Sequence, residues 1–581
     1  MRILRLLAVP IVVLWALIVR PLQIRARKRI LKKNGWAELH LEGQVMEMRP
    51  VEKLAQQLVK RAMQREDPPR VVLARLRRFA EEIASDKHAR GVLVRIDALS
   101  CGLASATAIR RELMNIRDAK KEVVVHLARN AGNLEMFVAS AATKIYATPV
   151  GAIASVGMSS VGLFMAETLE RIGVKIQVAS RGRFKSAPDR FTRTERSDAD
   201  REQTQALIDE VDAELATAIA DGRRIPEPDA ITMIDSLPMI GTQALDKGFI
   251  DGLARDEDLP TVVQTIEDAE EPARFVGAGA YLDARTIHPL FPRKRKRIGI
   301  VQVHGAIVDK APPYQQVSGS AAVEKAVVDD LRTALNDKTI GAVVMHIDSR
   351  GGSVTASDAM YAAVKRLDQE KPVIACFADV SASGGYYVGC GARAIVCDPL
   401  TITGSIGVFA MIPTLQRLTE KIDLKHDVIE NRKHASLFNL YRDLTPENRE
   451  ATDAEVEAMY ERFLSIVGEA RDMTRDEVDE VAQGRVWTGR AARKHRLVDG
   501  LGGMEEALGR ARDACPDRLD DRPVLVTSKG SQRRPEPFVP AEAARVLMQW
   551  VGAAEVPVDL LTMMLTGSRH SVWAYAPLTL R

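Results

Sequence analysis

The run Ala378-Asp-Val-Ser-Ala-Ser383-Gly384-Gly385-Tyr386-Tyr387 follows a strand-like apolar stretch and opens a helix-like one. A serine followed by two glycines at a helix start exposes its hydroxyl and brings a backbone N–H to the same point, as a nucleophile and its oxyanion donor require. The same serine would also serve as an ordinary N-cap. Upstream, Asp348-Ser-Arg-Gly351-Gly352-Ser353 stands between another strand-like run and a helix. Its glycines let amides turn toward a phosphate, a carboxylate or a developing oxyanion at the positive helix end. Gly-Gly turns also occur for packing alone.

A serine nucleophile needs a base. His304, His346, His434 and His495 fit no known triad order or elbow motif. A lysine serves if burial lowers its pKa enough to leave it neutral near pH 7. Two lysines are candidates: Lys185 in Arg181-Gly-Arg-Phe-Lys-Ser-Ala-Pro188, and Lys433 in Asn431-Arg-Lys-His-Ala435. A lysine is ordinarily a solvated surface charge, and spacing alone does not choose between them.

The elements that must position these residues come in two sets. Gly91-Val-Leu-Val-Arg-Ile-Asp97 is echoed by Gly341-Ala-Val-Val-Met-His-Ile-Asp348. Lys144-Ile-Tyr-Ala-Thr-Pro149, followed by Ala154-Ser-Val-Gly157, is echoed by Ala394-Ile-Val-Cys-Asp-Pro399 and Gly404-Ser-Ile-Gly407. Gly241 to Asp251-Gly-Leu matches Gly489 to Asp499-Gly-Leu. Three matches in one order at nearly constant offset mark an internal duplication. Within the second copy, strand-like runs at 298–303, 342–347, 373–377 and 394–396 alternate with helix-period stretches at 357–367 and 445–470. That alternation predicts βαβ crossovers and a mostly parallel sheet. At the first-copy counterparts of the chemical motifs stand Ala98-Leu-Ser-Cys-Gly-Leu and Asn133-Leu134-Glu135-Met136-Phe137, without paired glycines or the hydroxyl. The two copies therefore do different jobs.

The chain has 581 residues, with 82 Lys+Arg against 78 Asp+Glu and 46% hydrophobic residues. This is ordinary for a globular chain of several units and excludes disorder, collagen and coiled coil as the main organisation. Residues 1–33 hold nine bases and no acid, leaving 73 bases against 78 acids elsewhere. A body without basic excess argues against nucleic-acid binding. Five cysteines never spaced as a metal-binding pair imply neither zinc nor a disulfide framework. The 14 uncharged residues 6–19 are followed by Arg20-Pro21 and a basic run rather than a small-residue cleavage site. They read as an uncleaved membrane anchor, provided Arg5 and Arg20 snorkel. The bases after it would, by themselves, hold the body in the cytoplasm. Pro292 and the basic run 293–297 read as a solvated linker. The apolar stretches 546–551 and 558–565 have no first-copy partner and are expected to dock on the body or another subunit.

Ser383-Gly-Gly-Tyr after a strand, Asp-Ser-x-Gly-Gly-Ser upstream, Thr403-Gly-Ser-Ile-Gly407 downstream and Val486-Trp-Thr-Gly-Arg-Ala together resemble the signal peptide peptidase A family, the S49 serine proteases, in its long, 67K-type form. The resemblance extends over about 36–510. It implies an α/β fold of tandem duplicated ClpP/crotonase-like domains preceded by an N-terminal transmembrane anchor. The corresponding boundaries are 1–35 for the anchor and basic flank, 36–269 for the first copy, 270–296 for the linker, 297–515 for the second copy and 516–581 for a tail. It further implies Ser383 as nucleophile and Lys185 of Gly182-Arg-Phe-Lys-Ser-Ala as general base. Ser405 would orient that lysine, and Gly384 with Gly352 or Gly351 would supply the oxyanion amides. The short form carries serine and lysine in one copy, which keeps Lys433 as a rival. No metal or organic cofactor is expected. The expected partners are peptide substrates (remnant signal peptides), the membrane and further copies of the chain, four in the long form. The expected location is the inner membrane with a periplasmic body, since long domains translocate largely regardless of flanking charge. A crotonase-type acyl-CoA enzyme, which would not require Ser383 or Lys185, and an inactive membrane scaffold are the alternatives.

Overall fold

In the computed structural model the described residues are 35–48, 69–155, 157–285, 295–310, 321–520, 522–528 and 572–575. The anchor segment 6–19, part of the linker and most of the tail lie outside them. Among the described residues, no helix is long and apolar enough to cross a membrane. The architecture is mixed α/β. The chain divides into two compact units, one of Met1–Met158 and Val211–Lys294, the other of Ser159–Glu210 and Arg295–Arg581. The segment Ser159–Glu210, which falls within 36–269 by linear order, thus belongs with the second unit and takes Lys185 with it.

In the second unit, Val524–Leu525, Arg297–His304, Ile340–Ser349, Val373–Ala382, Ala394–Cys397 and Gly500–Leu501 pair in that order, every pair parallel. Strands covered on both faces need apolar residues at nearly every position, and Ile340–Ser349 is buried along almost its whole length. Val301, Val343, Met345 and Phe377 share one cluster with Leu331, Met360 and Phe463 from the helices Glu324–Asn336, Val354–Glu370 and Pro446–Arg471. Two strands run past the ends expected from hydropathy. The extra residues carry Asp348–Ser349 and Ser381–Ala382 to the edge of the chemical site.

The first unit repeats this succession with Phe275–Gly277, Trp36–Met46, Gly91–Ser100, Glu122–Leu127, Lys144–Ala147 and Gly252–Leu253, again all parallel. Each unit carries the same clasp. Arg471, the last residue of Pro446–Arg471, places two guanidinium nitrogens 2.7 Å from the Asp499 oxygens, and Asp499 accepts the Ile395 amide at 2.7 Å. Arg223, at the end of Asp198–Arg223, grips Asp251 at 2.7 Å, and Asp251 accepts the Ile145 amide at 2.8 Å. Burial would raise both carboxyls, but the arginine forks and the amides outweigh it and hold both below the usual carboxylate range.

A third sheet, within the second unit, orders Ala321–Val323, Ala306–Val308, Gly351–Ser353, Val572–Tyr575, Val408–Thr414 and Lys175–Arg181. Its last pair is antiparallel with Arg181 opposite Val408. That pairing delivers the chain entering Lys185 beside the chain leaving Ser405.

Candidate active site

Ser383 ends the central strand Val373–Ala382, whose last residue is registered with Gly404. It adopts φ +56° and ψ −116°, a region that costs a non-glycine residue about 1–3 kcal/mol and persists only where the surroundings over-determine it. Here they do: the Ser383 amide donates to the Gly404 carbonyl at 2.8 Å, and the Ser383 carbonyl accepts the Tyr387 amide at 2.9 Å. The hydroxyl makes no N-cap bond to the helix Gly384–Gly389. That leaves it aimed at the lysine. Ser405, the residue after Gly404, also has positive φ (+53°), and both serines are fully buried.

Lys185 is 4% exposed. Its Nζ donates to Ser383 Oγ at 2.8 Å, to the Ser405 carbonyl at 2.9 Å and to Ser405 Oγ at 3.0 Å. These three oxygens are uncharged, so they do not offset the loss of water, and burial pushes the ammonium pKa well below the ordinary lysine value. A neutral amine in the same place keeps two N–H donors for Ser405 and turns its lone pair to the Ser383 hydroxyl hydrogen. Lys433 is exposed in the turn-rich stretch before Pro446–Arg471 and is not brought to Ser383.

Three residues not singled out by sequence hold the lysine turn. After the strand Lys175–Arg181, Gly182 turns the chain at φ +106°. The Phe184 amide then donates to the Gln483 carbonyl at 2.7 Å, while the Gly484 amide donates to the Ile406 carbonyl at 2.8 Å. Gln483–Gly484 is thereby pinned between the Lys185 turn and the turn holding Ser405. From the helix Asp198–Arg223, the Gln203 carboxamide nitrogen donates to the Phe184 carbonyl (3.1 Å) and Ser186 Oγ (3.0 Å), which flank Lys185. Its oxygen accepts the Val486 amide at 3.3 Å, from a strand that pairs with Ile402–Gly404 just before Ser405. A single glutamine on a helix and a glycine in a turn carry no local mark of such a duty.

The glycines differ from one another. A Cβ on Gly384 would lie 3.1 Å from Gly351 Cα and 3.2 Å from the Gly352 nitrogen, so the two turns are in contact. The Gly351 amide donates to Ser349 Oγ at 3.1 Å, which engages it locally. Gly352, at φ +158°, has no room for a side chain: its Cβ would stand 2.0 Å from the Ile307 carbonyl oxygen. Asp348 accepts the Val380 amide at 3.1 Å and ties two strand ends together; burial raises its carboxyl. The histidines lie elsewhere. His304 Nε2 meets His346 Nδ1 at 2.7 Å, His434 Nδ1 meets Asn448 Oδ1 at 2.7 Å, and His495 stacks on Trp487. Among the described residues no group of three or more His, Cys, Asp or Glu side chains is placed to hold a metal ion.

In the first unit the corresponding helix start is filled differently. Glu135 accepts the Leu99 amide at 2.8 Å and the Gly132 amide at 2.9 Å. A carboxylate thus closes this helix start, and Asn133, at the position matching Ser383, accepts the Ser155 hydroxyl at 3.2 Å through its side-chain oxygen.

The model of peptidase family S49 matches residues 115–270 and 365–515. The chain is 29% identical over 479 residues to "Serine protease SPPA, chloroplastic" of Arabidopsis thaliana, covering 82% of this chain and 69% of that protein. It is 30% identical over 433 residues to "Protease 4" of Salmonella typhi (72% and 69%), and 28% identical over 422 residues to "Protease 4" of Haemophilus influenzae (70% and 67%). Among solved structures, a ClpP1 mutant of Listeria monocytogenes aligns with 36% of this chain and 93% of its own at 14% identity, with a TM-score of 0.23, too low to bear on the fold. With both matched regions and the relatives spanning the serine and lysine turns, the chain belongs to peptidase family S49 and is a serine protease.

Proposed function

We propose that this chain is a membrane-anchored endopeptidase with a Ser383/Lys185 dyad, built from two ClpP/crotonase-like copies and acting on extended apolar peptides such as remnant signal peptides. The observation that carries the reading is the 2.8 Å separation of Lys185 Nζ and Ser383 Oγ, both buried, with burial pushing the ammonium pKa down. Neutral Lys185 accepts the hydroxyl proton as the Ser383 oxygen attacks the peptide carbonyl. The carbonyl oxygen becomes an oxyanion facing the amides of Gly384 and Gly352, preferred over Gly351 because the Gly351 amide is engaged by Ser349 Oγ. The Lys185 ammonium, held by Ser405, returns its proton to the leaving amine, and water hydrolyses the acyl-enzyme by the same route. The family's membrane placement fits the apolar run 6–19, with the body on the periplasmic face and the chain assembled as a homotetramer.

The test compares Ser383→Ala, Lys185→Ala and Lys433→Ala in peptide cleavage by the full chain. The first two lose activity and the third keeps it. Full activity in Ser383→Ala or in Lys185→Ala, or its loss only in Lys433→Ala, overturns the assignment.

A further inference from the structure

In the first unit, two strands pair with one edge of Trp36–Met46 and leave a gap between them. Phe275–Gly277 pairs with residues 36–38 and Arg70–Val72 with residues 44–46, both on the edge away from Gly91–Ser100. Along residues 39–43 no strand among the described residues occupies that edge. Residues on all sides of the gap line a cavity of about 450 Å³, within the size range of small-molecule sites. Leu41, Leu76 and Phe79 are buried and close its inner end. Arg70, Arg75 and the passage from strand to helix at Gly277–Gly279 line the rest.

The charges in this cavity are one-sided. The helix Ala278–Arg285 starts here, and its first turn carries no acid. A helix start is the positive end of its dipole and presents amides without intrahelical partners. Yet the group beside it is a cation: a Cβ on Gly279 would lie 3.8 Å from Arg75 Nη2. Arg70 brings a second guanidinium, whose Nε is buried without a hydrogen-bond partner. A buried donor left unpaired is costly. Among the described residues, no acid pairs with either arginine. The acid in the lining, Glu38, is already taken by Arg95 at 2.7 Å.

We infer that this cavity is a binding site for a small organic anion. Its carboxylate or phosphate oxygens take the donors of Arg70 and Arg75 and the amides that open Ala278–Arg285. An arginine fork matches either head group, and a helix start receives either. The volume exceeds what a bare oxyanion fills, which leaves room for an organic body against Leu41 and Phe79. Ser383, Lys185 and Ser405 all belong to the second unit, so the site gives the first unit a ligand of its own. The inference does not depend on the dyad reading.

The experiment follows the thermal unfolding midpoint of the full chain at constant ionic strength, because a ligand bound only by the native state raises it. The probes are hexanoate, hexyl phosphate and, as the uncharged control with the same body, hexanamide. At least one anionic probe is expected to raise the midpoint saturably, with a dissociation constant in the millimolar range or below, while hexanamide does not. The anion that saturates at the lower concentration names the preferred head group. Arg70→Gln and Arg75→Gln are each expected to raise its dissociation constant about tenfold or more. Arg75 is exposed, so its variant keeps the test valid should Arg70→Gln fail to fold. No saturable rise with either anion overturns the site, as does an unchanged dissociation constant in Arg75→Gln. An equal response to hexanamide overturns it as well.

Discussion

Gly484 packs so closely on Lys185 that a Cβ there would stand 2.7 Å from the lysine's backbone nitrogen and 2.7 Å from its Cβ. The contact is backbone against backbone, so it cannot be relieved by swinging a side chain. Gly484 also has φ +74°, where only glycine sits without strain. Gly484→Ala is expected to push the lysine turn away from Ser383. A displacement near 1 Å lowers kcat by about a hundredfold. Steady-state kinetics should show that fall with KM nearly constant, and a wild-type kcat would mean that the turn absorbs the methyl group.

Gln203 acts through Lys185 rather than on substrate. Gln203→Met keeps the length and removes the bonds to Phe184, Ser186 and Val486. The expected result is a kcat lower by about tenfold or more, with KM unchanged and the acidic limb of the pH profile displaced. A variant that merely lost stability would show a lower melting temperature with the profile in place.

The pH dependence has a worked sign. Burial lowers the Lys185 pKa, so cleavage should rise with pH through one deprotonation well below the usual ~10.4 of lysine. Between that lowered value and ~10.4 the unfolded chain binds a proton that the native chain does not, so this residue's contribution to stability improves as pH rises through the window. Below the window its penalty is fully present. Lys185→Met, inactive, should therefore be more stable than the native chain at pH 7, and the gap should narrow toward pH 10. Urea titrations at several pH values measure it; a parallel pair of curves would show that the lysine enters the folded state charged.

The Arg471–Asp499 clasp is structural. Arg471→Ala strips a charged double bond from a half-buried carboxylate and should cost about 2 kcal/mol. Asp499 is held low by Arg471, so its contribution is present above the unfolded carboxylate pKa of ~3.9 and is lost as pH falls through the lower folded value. Denaturant curves at pH 7 and pH 3 should differ less in the variant than in the native chain.

The duplication was legible because each copy keeps its own strand and its own Asp-Gly-Leu turn, and local patterns survive in a single sequence. Ser383 was legible for the same reason: serine, two glycines and the preceding strand are contiguous. The base was not legible from spacing. Lys185 and Lys433 are equally plain lysines, and what separates them is burial, which depends on strands pairing across the chain at Arg181 and Val408. Ser405 was marked by its Thr-Gly-Ser-Ile-Gly motif, but its positive φ was not, nor its placement beside Ser383, which follows from the pairing of Ala382 with Gly404. In Asn133-Leu-Glu the missing hydroxyl was visible, but the carboxylate's capture of two amides was not. Residues 572–575, at the far end of a tail that hydropathy read only as something that docks, form a strand whose partners no local pattern names.

The central claim is that a buried, uncharged Lys185 activates Ser383. The most direct measurement is the rate at which an organophosphorus serine probe modifies the full chain, with the adduct mapped by mass spectrometry. Modification at Ser383 that accelerates with pH in the native chain and falls at least about a thousandfold in Lys185→Ala is the predicted result. An undiminished rate in Lys185→Ala, or an adduct on another serine, would contradict it.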